Sequence, residues 1–478
     1  MAFYTVPLII NGEEYAPQGA FEVRSPVTDE VLHLCSLATE TDATAAVEAA
    51  AAAFPSWKST DPATRRDICL KAADLMCQRR EELEKLLIGE LGIGGQYATF
   101  NVDTTINMLR DVAGRVSTLA GSVPHVADPN TSAMIWQEPY GVVLAIAPWN
   151  ASFILGTRAV LYPIAAGCTV VHKGSEWAPR CMHRTASILH EAGLPRGVLN
   201  FITTDRANAA PVTESIIAND HVKKLNFTGS GAVGQIIAKI AGQYLKPLVL
   251  ELGGKSPAII WDDANLDLAA VKCAVGAFMV AGQVCMSTER IIVHKSVSEK
   301  FLPKLRHSIA QIWPDAFSLI NTQATKRNAR LVSDAISKGA SVLHGDINPQ
   351  EIINAEDPTK TKMPPIMLGN VTSTMDIYHQ ESFGPVVSYI EVGSKEEAVR
   401  VANDTQYGLT AAVFTEDLRT GLWFARNIES GAVHINDMTA HDEPALPHGG
   451  VKGSGYGRFG SSCGLEEYLK TKTVTWKN

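Results

Sequence analysis

One cysteine of the sequence lies on a segment suited to covalent catalysis. Cys285 belongs to the small, polar segment 282–290, between a predicted helix and a predicted strand at 290–294. A cysteine presented in this way can attack a carbonyl carbon as a thiolate, which helix N-termini and nearby cations favour. A buried, unreactive thiol is the alternative, and we assign it to the other cysteines, Cys35, Cys69, Cys77, Cys168, Cys181, Cys273 and Cys463.

A second candidate, Glu251, ends an apolar strand predicted at 248–250 and is followed by Leu-Gly-Gly-Lys. Dehydration at that position would raise the pKa of the carboxyl group into the range of a general base. The alternative is a glutamate that turns into solvent. A third candidate, Asn150, follows the strand that ends at Ala147, where its amide could donate to an oxyanion or simply form a turn.

A glycine-rich loop at 227–234 (FTGSGAVG) follows one predicted strand and opens a helix. Its glycines Gly229, Gly231 and Gly234 satisfy the dinucleotide pattern G-x-G-x-x-G, in which backbone N–H groups meet a pyrophosphate. An acidic residue about 20 positions later completes that pattern, which would assign Glu251 to a ribose. This assignment conflicts with a general-base role for Glu251. The match alone is weak in a chain with 37 glycines.

Hydrophobic patterning predicts the elements that would position these residues. The N-terminal third is predicted to be helical, with a capping box at 39–42, a helix that Pro55 ends, and a second helix capped by Asp61. From Gly141 onward, short β-rich runs alternate with helices, which predicts an α/β fold with a parallel sheet and ligands beyond its carboxyl edge. A second α/β pattern covers 252–433, and 470–476 is a terminal strand. The predicted buried strands are 141–146, 169–173, 198–202, 222–227 and 248–250.

Composition excludes several classes of function. The net charge of −8 argues against a nucleic-acid partner. The cysteines form no C-x-x-C pair or zinc-ligand spacing, so we expect no metal. No apolar run reaches the roughly 20 residues of a membrane span, and the first residues lack the pattern of a signal peptide. We therefore expect a cytoplasmic protein with reduced thiols and no membrane association.

Seven segments together resemble the aldehyde dehydrogenase superfamily, in order and over essentially the full length: 148–150 (PWN), 173–176 (KGSE), 227–234, 251–255 (ELGGK), 282–285 (GQVC), 381–386 (ESFGPV) and 449–455 (GGVKGSG). The resemblance implies a Rossmann-type parallel-sheet NAD-binding domain (1–118 and 139–251), an α/β catalytic domain (252–445) and a β oligomerisation arm (119–138 and 446–478). It also implies a homodimer or a homotetramer.

The resemblance assigns Glu251 as the general base and makes the glycine loop a variant phosphate site. By the same resemblance, Cys285 attacks the aldehyde to form a thiohemiacetal, whose oxyanion the Asn150 amide and the Cys285 N–H hold. Hydride transfer to NAD leaves a thioester, and Glu251 activates the water that hydrolyses it. The cofactor residues that it implies are Trp149, Lys173, Glu176, Gly229, Ser230, Gly234, Glu381 and Phe383. Glu176 beside the adenosine ribose would repel a 2′-phosphate, so we expect a preference for NAD.

Segments 154–160, 284–290, 441–444 and 455–460 look closest to the salicylaldehyde, vanillin and benzaldehyde dehydrogenases. Arg158 lies two helical turns after Asn150, where it could contact an aryl ring, unless it forms an intersubunit or surface salt bridge. Ala151 and Val284 are small and leave room for a ring. His448 stands where the family usually has Phe, and a polar wall at the tunnel mouth would alter the substrate preference.

Alternatives of other classes remain open at this stage. The enzyme could be an aliphatic aldehyde or semialdehyde dehydrogenase, or a relative that forms a CoA thioester. A different class, the nitrilase-type amidases, could use Cys285, Glu251 and Lys255 as a Cys-Glu-Lys triad. The cofactor motifs argue against that class. A catalytically silent binding protein is disfavoured because Asn150, Glu251 and Cys285 occur together.

Overall fold

The computed structural model describes residues 3–478 as two large, mainly parallel sheets with helices around them. The strands are β1 (Thr5–Val6), β2 (Leu8–Ile10), β3 (Glu13–Tyr15), β4 (Ala20–Arg24), β5 (Val31–Ser36), β6 (Thr131–Pro139), β7 (Val142–Ile146), β8 (Thr169–Lys173), β9 (Leu199–Ile202), β10 (Val222–Thr228), β11 (Leu248–Glu251), β12 (Ser256–Ile260), β13 (Thr288–His294), β14 (Phe317–Ser318), β15 (Ser341–His344), β16 (Lys362–Met363), β17 (Ile366–Gly369), β18 (Val386–Val392), β19 (Thr410–Phe414), β20 (Ala432–Ile435), β21 (Gly455–Tyr456) and β22 (Leu469–Lys477).

The α-helices are α1 (Glu40–Trp57), α2 (Pro62–Gln78), α3 (Arg80–Leu91), α4 (Gly95–Arg115), α5 (Ser152–Ala165), α6 (Pro179–Glu191), α7 (Ala209–Ala218), α8 (Gly231–Gln243), α9 (Leu266–Phe278), α10 (Lys295–Ile312), α11 (Thr322–Ser337), α12 (Pro349–Asn354), α13 (Asp376–His379), α14 (Lys395–Asn403), α15 (Leu418–Asn427) and α16 (Ser461–Glu466). Three short 3₁₀ helices lie at Val116–Thr118, Met279–Gly282 and Lys452–Ser454. Within residues 3–478, no helix has both the length and the apolar character needed to span a membrane.

The first sheet has eight strands in the order β21-β11-β10-β7-β8-β9-β2-β3. Its central strands β7 to β11 are parallel and almost wholly buried, as expected for apolar runs that helices cover on both faces. The five strands predicted here are confirmed to within two residues at each end. Because β7, β10 and β11 are neighbours, the turns that follow them meet at one edge of the sheet.

The second sheet has seven strands in the order β15-β17-β18-β13-β12-β19-β20. All neighbouring pairs are parallel except β15 with β17. The segment of Cys285 leads into β13, and the segment of Glu381 leads into the adjacent β18. The terminal strand β22 pairs antiparallel with β6 along its whole length and forms a separate two-stranded sheet.

Two predictions for the N-terminal region are wrong. Five strands lie between Thr5 and Ser36, before the first helix, and Ile9 in β2 pairs with Phe201 in β9. Such pairing depends on distant residues, which local helix propensity does not register. Helix α1 also continues past Pro55 to Trp57, because a proline so near the end removes only one hydrogen bond. The predicted caps at Thr39 and Asp61 are confirmed.

The predicted domain boundaries and the oligomerisation arm stay predictions. The strands change from the first sheet to the second between Glu251 and Ser256, close to the predicted boundary. Part of the predicted arm has an additional place in the fold, since β21 (Gly455–Tyr456) pairs with β11 at the edge of the first sheet. Strand β22 falls in the predicted arm, and so does β6 except for its last residue, Pro139.

Candidate active site

Cys285 follows a tightly constrained turn between α9 and β13. Val280, Ala281 and Gly282 all have positive φ angles, of 54°, 59° and 69°. A side chain at Gly282 would also collide with the carbonyl oxygen of Gly384, so glycine is required there. The buried Gln283 accepts a hydrogen bond from the amide of Ile320 at 3.0 Å. The turn therefore fixes the position of the sulfur rather than leaving it on a mobile loop.

Two cavities meet at Cys285, Asn150 and Leu155. The first, which we call the cleft, has a volume of about 500 Å³ and reaches Gly229 and Ser230 at the start of α8. The second, which we call the tunnel, has a volume of about 330 Å³ and is also lined by Cys285. A thiol at this junction can reach molecules in either cavity.

Glu251 contacts the sulfur directly. Its Oε1 accepts a hydrogen bond from the Cys285 Sγ at 2.9 Å, and its Oε2 is paired with the guanidinium of Arg158. The Thr228 hydroxyl lies 3.4 Å from the same Oε2. The side chains of Glu251 and Arg158 are 0% and 2% exposed, so this ion pair is isolated from solvent. A carboxylate is thus held next to the thiol in the interior of the protein.

The predicted direction of the Glu251 pKa shift is wrong. Burial alone raises the pKa of this carboxyl, but the Arg158 guanidinium, His448 and the Cys285 hydrogen bond outweigh it and hold the pKa well below its usual range. Conversely, burial and the negative charge of Glu251 raise the pKa of the Cys285 thiol well above its usual range. The resting pair is therefore a thiol that donates to a carboxylate.

Asn150 is fixed close to the sulfur. Its side-chain Nδ2 donates to the backbone carbonyl oxygen of Gln283 at 2.9 Å. The Tyr97 hydroxyl donates to the backbone carbonyl oxygen of Asn150 at 3.3 Å. No hydrogen bond from the Cys285 amide to another backbone or side-chain group is present in residues 3–478. One amide hydrogen of Asn150 and the Cys285 N–H are thus available to an oxygen that develops negative charge.

A buried network connects the three motif segments around the cleft. Lys255 and Glu289 form an ion pair at 2.5 Å, and Glu289 also accepts from the Ser382 backbone N–H and hydroxyl at 2.8 and 2.7 Å. Glu381 accepts from the Gly254 amide at 3.0 Å. A side chain at Gly253 would strike the Glu381 carboxylate. Burial and the Glu289 charge raise the pKa of Glu381 to about 7.

The structure brings most of the predicted cofactor residues to the cleft. Trp149, Gly229, Ser230, Glu381 and Phe383 line it, together with Glu251 and Cys285. The rings of Trp149 and Phe383 meet edge-on, with centroids 6.0 Å apart. Glu176 lines an adjoining cavity of about 410 Å³, which shares Trp177, Arg206, Asn321 and Gln323 with the cleft.

Two predicted cofactor residues lie elsewhere. Lys173 ends β8 and is buried, but it lines neither the cleft nor the adjoining cavity. Gly234 lies in α8, where a Cβ would collide with the side chain of Leu252. Glycine at this position allows the close packing of α8 against that residue, and the assignment of Gly234 to the cofactor stays a prediction.

Of the four predicted substrate residues, two line the tunnel and two line neither cavity. Ala151 and Val284 line the tunnel, as expected. Arg158 and His448 line neither cavity, and both face Glu251 instead. Arg158 is buried and pairs within the chain with the buried carboxylate of Glu251 and the partly exposed carboxylate of Asp442, so it does not form a surface salt bridge. Its predicted contact with an aryl ring stays a prediction.

Sequence reasoning missed several residues of the site. Tyr97, Phe100 and Trp313 line the tunnel, Asp442 lies on its wall, and Glu289 organises the motif network. Asp442 and Glu289 fall within segments that resemble the aromatic branch, but nothing in their local pattern marks a role. Over residues 3–478, no group of three or more His, Cys, Asp or Glu side chains is arranged to hold a metal ion.

The Arg158–Glu251 pair predicts a large effect on stability. Arg158→Met leaves a buried carboxyl without its cation, so we expect the free energy of unfolding to fall by about 3–5 kcal/mol at neutral pH. Since the folded-state pKa of Glu251 lies below the ordinary 4.5, the contribution of the pair is present above that pH and lost as the pH falls further.

Urea unfolding of the wild-type protein and of Arg158→Met at pH 7 and pH 4 measures the difference in their free energies of unfolding. The matched control is Arg400→Met, which breaks an exposed ion pair to Glu397 at 3.5 Å and should change stability by less than about 1 kcal/mol. Equal losses in the two variants would contradict the prediction.

Comparisons with known proteins agree with this arrangement. The model of the "Aldehyde dehydrogenase family" matches residues 14–474. A vanillin dehydrogenase of Pseudomonas sp. (strain HR199 / DSM 7063) is 42% identical, over 99% of this chain and 98% of the relative. A salicylaldehyde dehydrogenase from Pseudomonas putida G7, solved with salicylaldehyde, has a TM-score of 0.94 at 35% identity, over 99% of this chain and 98% of that one. A betaine aldehyde dehydrogenase from Staphylococcus aureus, solved with NAD+, has a TM-score of 0.92 at 30% identity, over 98% and 97%. This chain therefore belongs to the aldehyde dehydrogenase family.

Proposed function

We propose that this enzyme oxidises aromatic aldehydes to carboxylic acids with NAD, through a thiohemiacetal and a thioester on Cys285. The observation that carries the proposal is the 2.9 Å contact between Cys285 Sγ and Glu251 Oε1 at the junction of the two cavities. Aldehyde oxidation by a thiol requires a nucleophile, a base beside it, and separate spaces for the aldehyde and the cofactor.

The residues of the site perform the proposed chemistry in a fixed order. The aldehyde enters through the tunnel, and Cys285 Sγ attacks its carbonyl carbon while the thiol proton passes to Glu251. The Asn150 amide and the Cys285 N–H stabilise the oxygen that becomes negative. After the oxidation step the acyl group remains on sulfur, and Glu251 releases the thiol proton. Glu251 then takes a proton from the water that attacks the thioester and returns it to the sulfur as the carboxylic acid leaves.

The cleft and the cavity beside it have groups that suit the pyrophosphate, the riboses and the ring of NAD. Gly229 and Ser230 adjoin the N-terminus of α8, whose free amide groups suit a pyrophosphate. Glu381 and Phe383 line the cleft together with Cys285 and would hold the nicotinamide ribose and ring. Glu176, which lines the adjoining cavity, would hold the adenosine ribose. When bound, NAD supplies the hydride acceptor for the oxidation step.

The lining of the tunnel supports an uncharged aromatic substrate. Tyr97, Phe100 and Trp313 provide ring surfaces, and the small Ala151 and Val284 leave space beside the sulfur. Among the described residues that line it, Asp442 is the only charged one. A carboxylate carried by the substrate would find no cation there and would face that aspartate.

The amidase alternative is disfavoured by the position of Lys255. This lysine is buried in the ion pair with Glu289 and lines neither the cleft nor the tunnel. It is thus not available to a Cys-Glu-Lys triad with Cys285 and Glu251.

The first test is removal of the nucleophile. Cys285→Ala should abolish aldehyde-dependent NADH formation, which absorbance measures, whereas Cys463→Ala, which removes an exposed thiol, should leave it unchanged. Glu251→Gln should lower kcat by about 10²- to 10⁴-fold because it removes the base. Undiminished NADH formation by Cys285→Ala would refute the proposed mechanism.

The second test concerns the cofactor. We expect kcat/KM to be higher for NAD than for NADP, because the Glu176 carboxylate would repel a 2′-phosphate. Arg206 lines the same cavity, so Glu176→Gln should raise kcat/KM for NADP. Equal kcat/KM values for the two cofactors in the wild-type enzyme would contradict the preference.

The third test compares substrates of different charge and shape. Benzaldehyde, vanillin and salicylaldehyde should give higher kcat/KM values than hexanal, because they fill the aromatic tunnel. Succinic semialdehyde should be poorer by on the order of a hundredfold, because its carboxylate would be buried without a partner. Better turnover of hexanal or of the semialdehyde than of the aromatic aldehydes would contradict the substrate assignment.

A further inference from the structure

Attack by Cys285 leaves the thiol proton on Glu251, which must lose that proton before it can act as the base for the hydrolytic water. Glu251 is 0% exposed, and both of its oxygens are engaged, Oε1 by Cys285 and Oε2 by Arg158 and Thr228. Arg158 cannot accept a proton because a guanidinium is always charged in proteins. Each turnover therefore needs another group that can take the proton from Glu251.

His448 is placed to receive that proton. Its Nε2 lies 3.7 Å from Glu251 Oε1, is fully buried, and has no hydrogen-bond partner in residues 3–478. The backbone of His448 is held by two hydrogen bonds of 2.7 Å to Phe459, whose ring also lies under the Arg158 guanidinium with a separation of 4.5 Å. A buried polar atom is thus held facing the base.

The opposite side of the same imidazole faces a group that reaches water. His448 Nδ1 lies 3.9 Å from Asp442 Oδ1. The Asp442 side chain is 19% exposed and forms part of the tunnel wall. Both separations exceed a hydrogen bond by less than about 1 Å, which a small rotation of the ring or one bridging water can close.

We infer that His448 and Asp442 form the path by which the thiol proton leaves Glu251 before hydrolysis, an inference that rests on the proposed role of Glu251 as base. The thiol proton moves from Glu251 to Nε2, the proton on Nδ1 moves to Asp442, and Asp442 releases it to water in the tunnel. The ionised Glu251 then takes a proton from the attacking water, whose oxygen bonds to the acyl carbon as the bond to sulfur breaks, and returns that proton to the Cys285 sulfur. His448 acts through Glu251 and is a positioning residue.

The charges around His448 favour transfer in this direction. The groups that face its ring are Glu251, Asp442, Arg158 and, more distantly, His434. Burial lowers the pKa of His448, but the two carboxylates outweigh it and raise that pKa above the usual 6.5. Since the pKa of Glu251 is held low, a proton passes readily from the carboxyl to the imidazole.

An assay without NAD isolates the hydrolysis of the thioester on Cys285. 4-Nitrophenyl benzoate should acylate Cys285 with a burst of nitrophenolate, after which steady-state release reports hydrolysis of the thioester. In the wild-type enzyme the steady-state rate should fall as the pH drops through the pKa of His448. His448→Phe keeps the ring volume without the nitrogens, so the burst should remain while the steady-state rate falls at least about tenfold and loses that pH dependence.

Asp442→Asn should also lower the steady-state rate. Imidazole added to the His448→Ala variant should restore part of the steady-state rate that this variant loses. The matched control is His441→Gln, because His441 lies beside Asp437 and Glu443 and does not face Glu251. A wild-type rate and pH profile in His448→Phe, or in Asp442→Asn, would overturn the inference. If Glu251→Gln slows hydrolysis but His448→Phe does not, the base assignment stands and only the proton path is wrong.

Discussion

A carboxylate buried at 0% exposure remains ionised only if the protein replaces the hydration it has lost. In this enzyme the Arg158 guanidinium does so for Glu251, and Asp442 and the Phe459 ring hold the guanidinium in turn. Arg158 lies on α5, the helix that begins just after Asn150. One helix therefore positions both the charge that maintains the base and the amide beside the sulfur.

The same pair determines the resting state of the nucleophile. Because Glu251 stays negative, its charge and hydrogen bond keep the proton on Cys285, whose thiol donates to the carboxylate. In the proposed mechanism, attack on a carbonyl carbon transfers one proton over 2.9 Å as the bond to carbon forms. The proposed nucleophile is thus a thiol until a substrate binds.

The second buried ion pair, between Lys255 and Glu289, connects segments of the chain around the cleft. The segment after β11, the strand β13 and the segment before β18 are joined by Lys255, Glu289 and Ser382. Along the chain, Glu289 lies 34 positions from Lys255 and 93 positions from Ser382. Close approach of these segments also depends on glycines at 253 and 282, where a side chain would strike Glu381 or Gly384. The network therefore holds these segments of the cleft in place around the sulfur. This arrangement explains why several separate motifs accompany one reactive thiol.

Local sequence determined the family of this protein and many of its elements, because both depend on short-range patterns, whereas the N-terminal strands depend on pairing with distant residues. The strands around β7 to β11, the capping box at Thr39 and the motifs with Asn150, Glu251 and Cys285 could be identified from neighbouring residues. Only the tertiary structure decided the surroundings of Glu251. Arg158 and Asp442 are 284 positions apart, and His448 comes to the base only because its backbone pairs with Phe459. The sign of a pKa shift depends on which charges lie within a few ångströms, and those charges come from parts of the chain that only folding brings together.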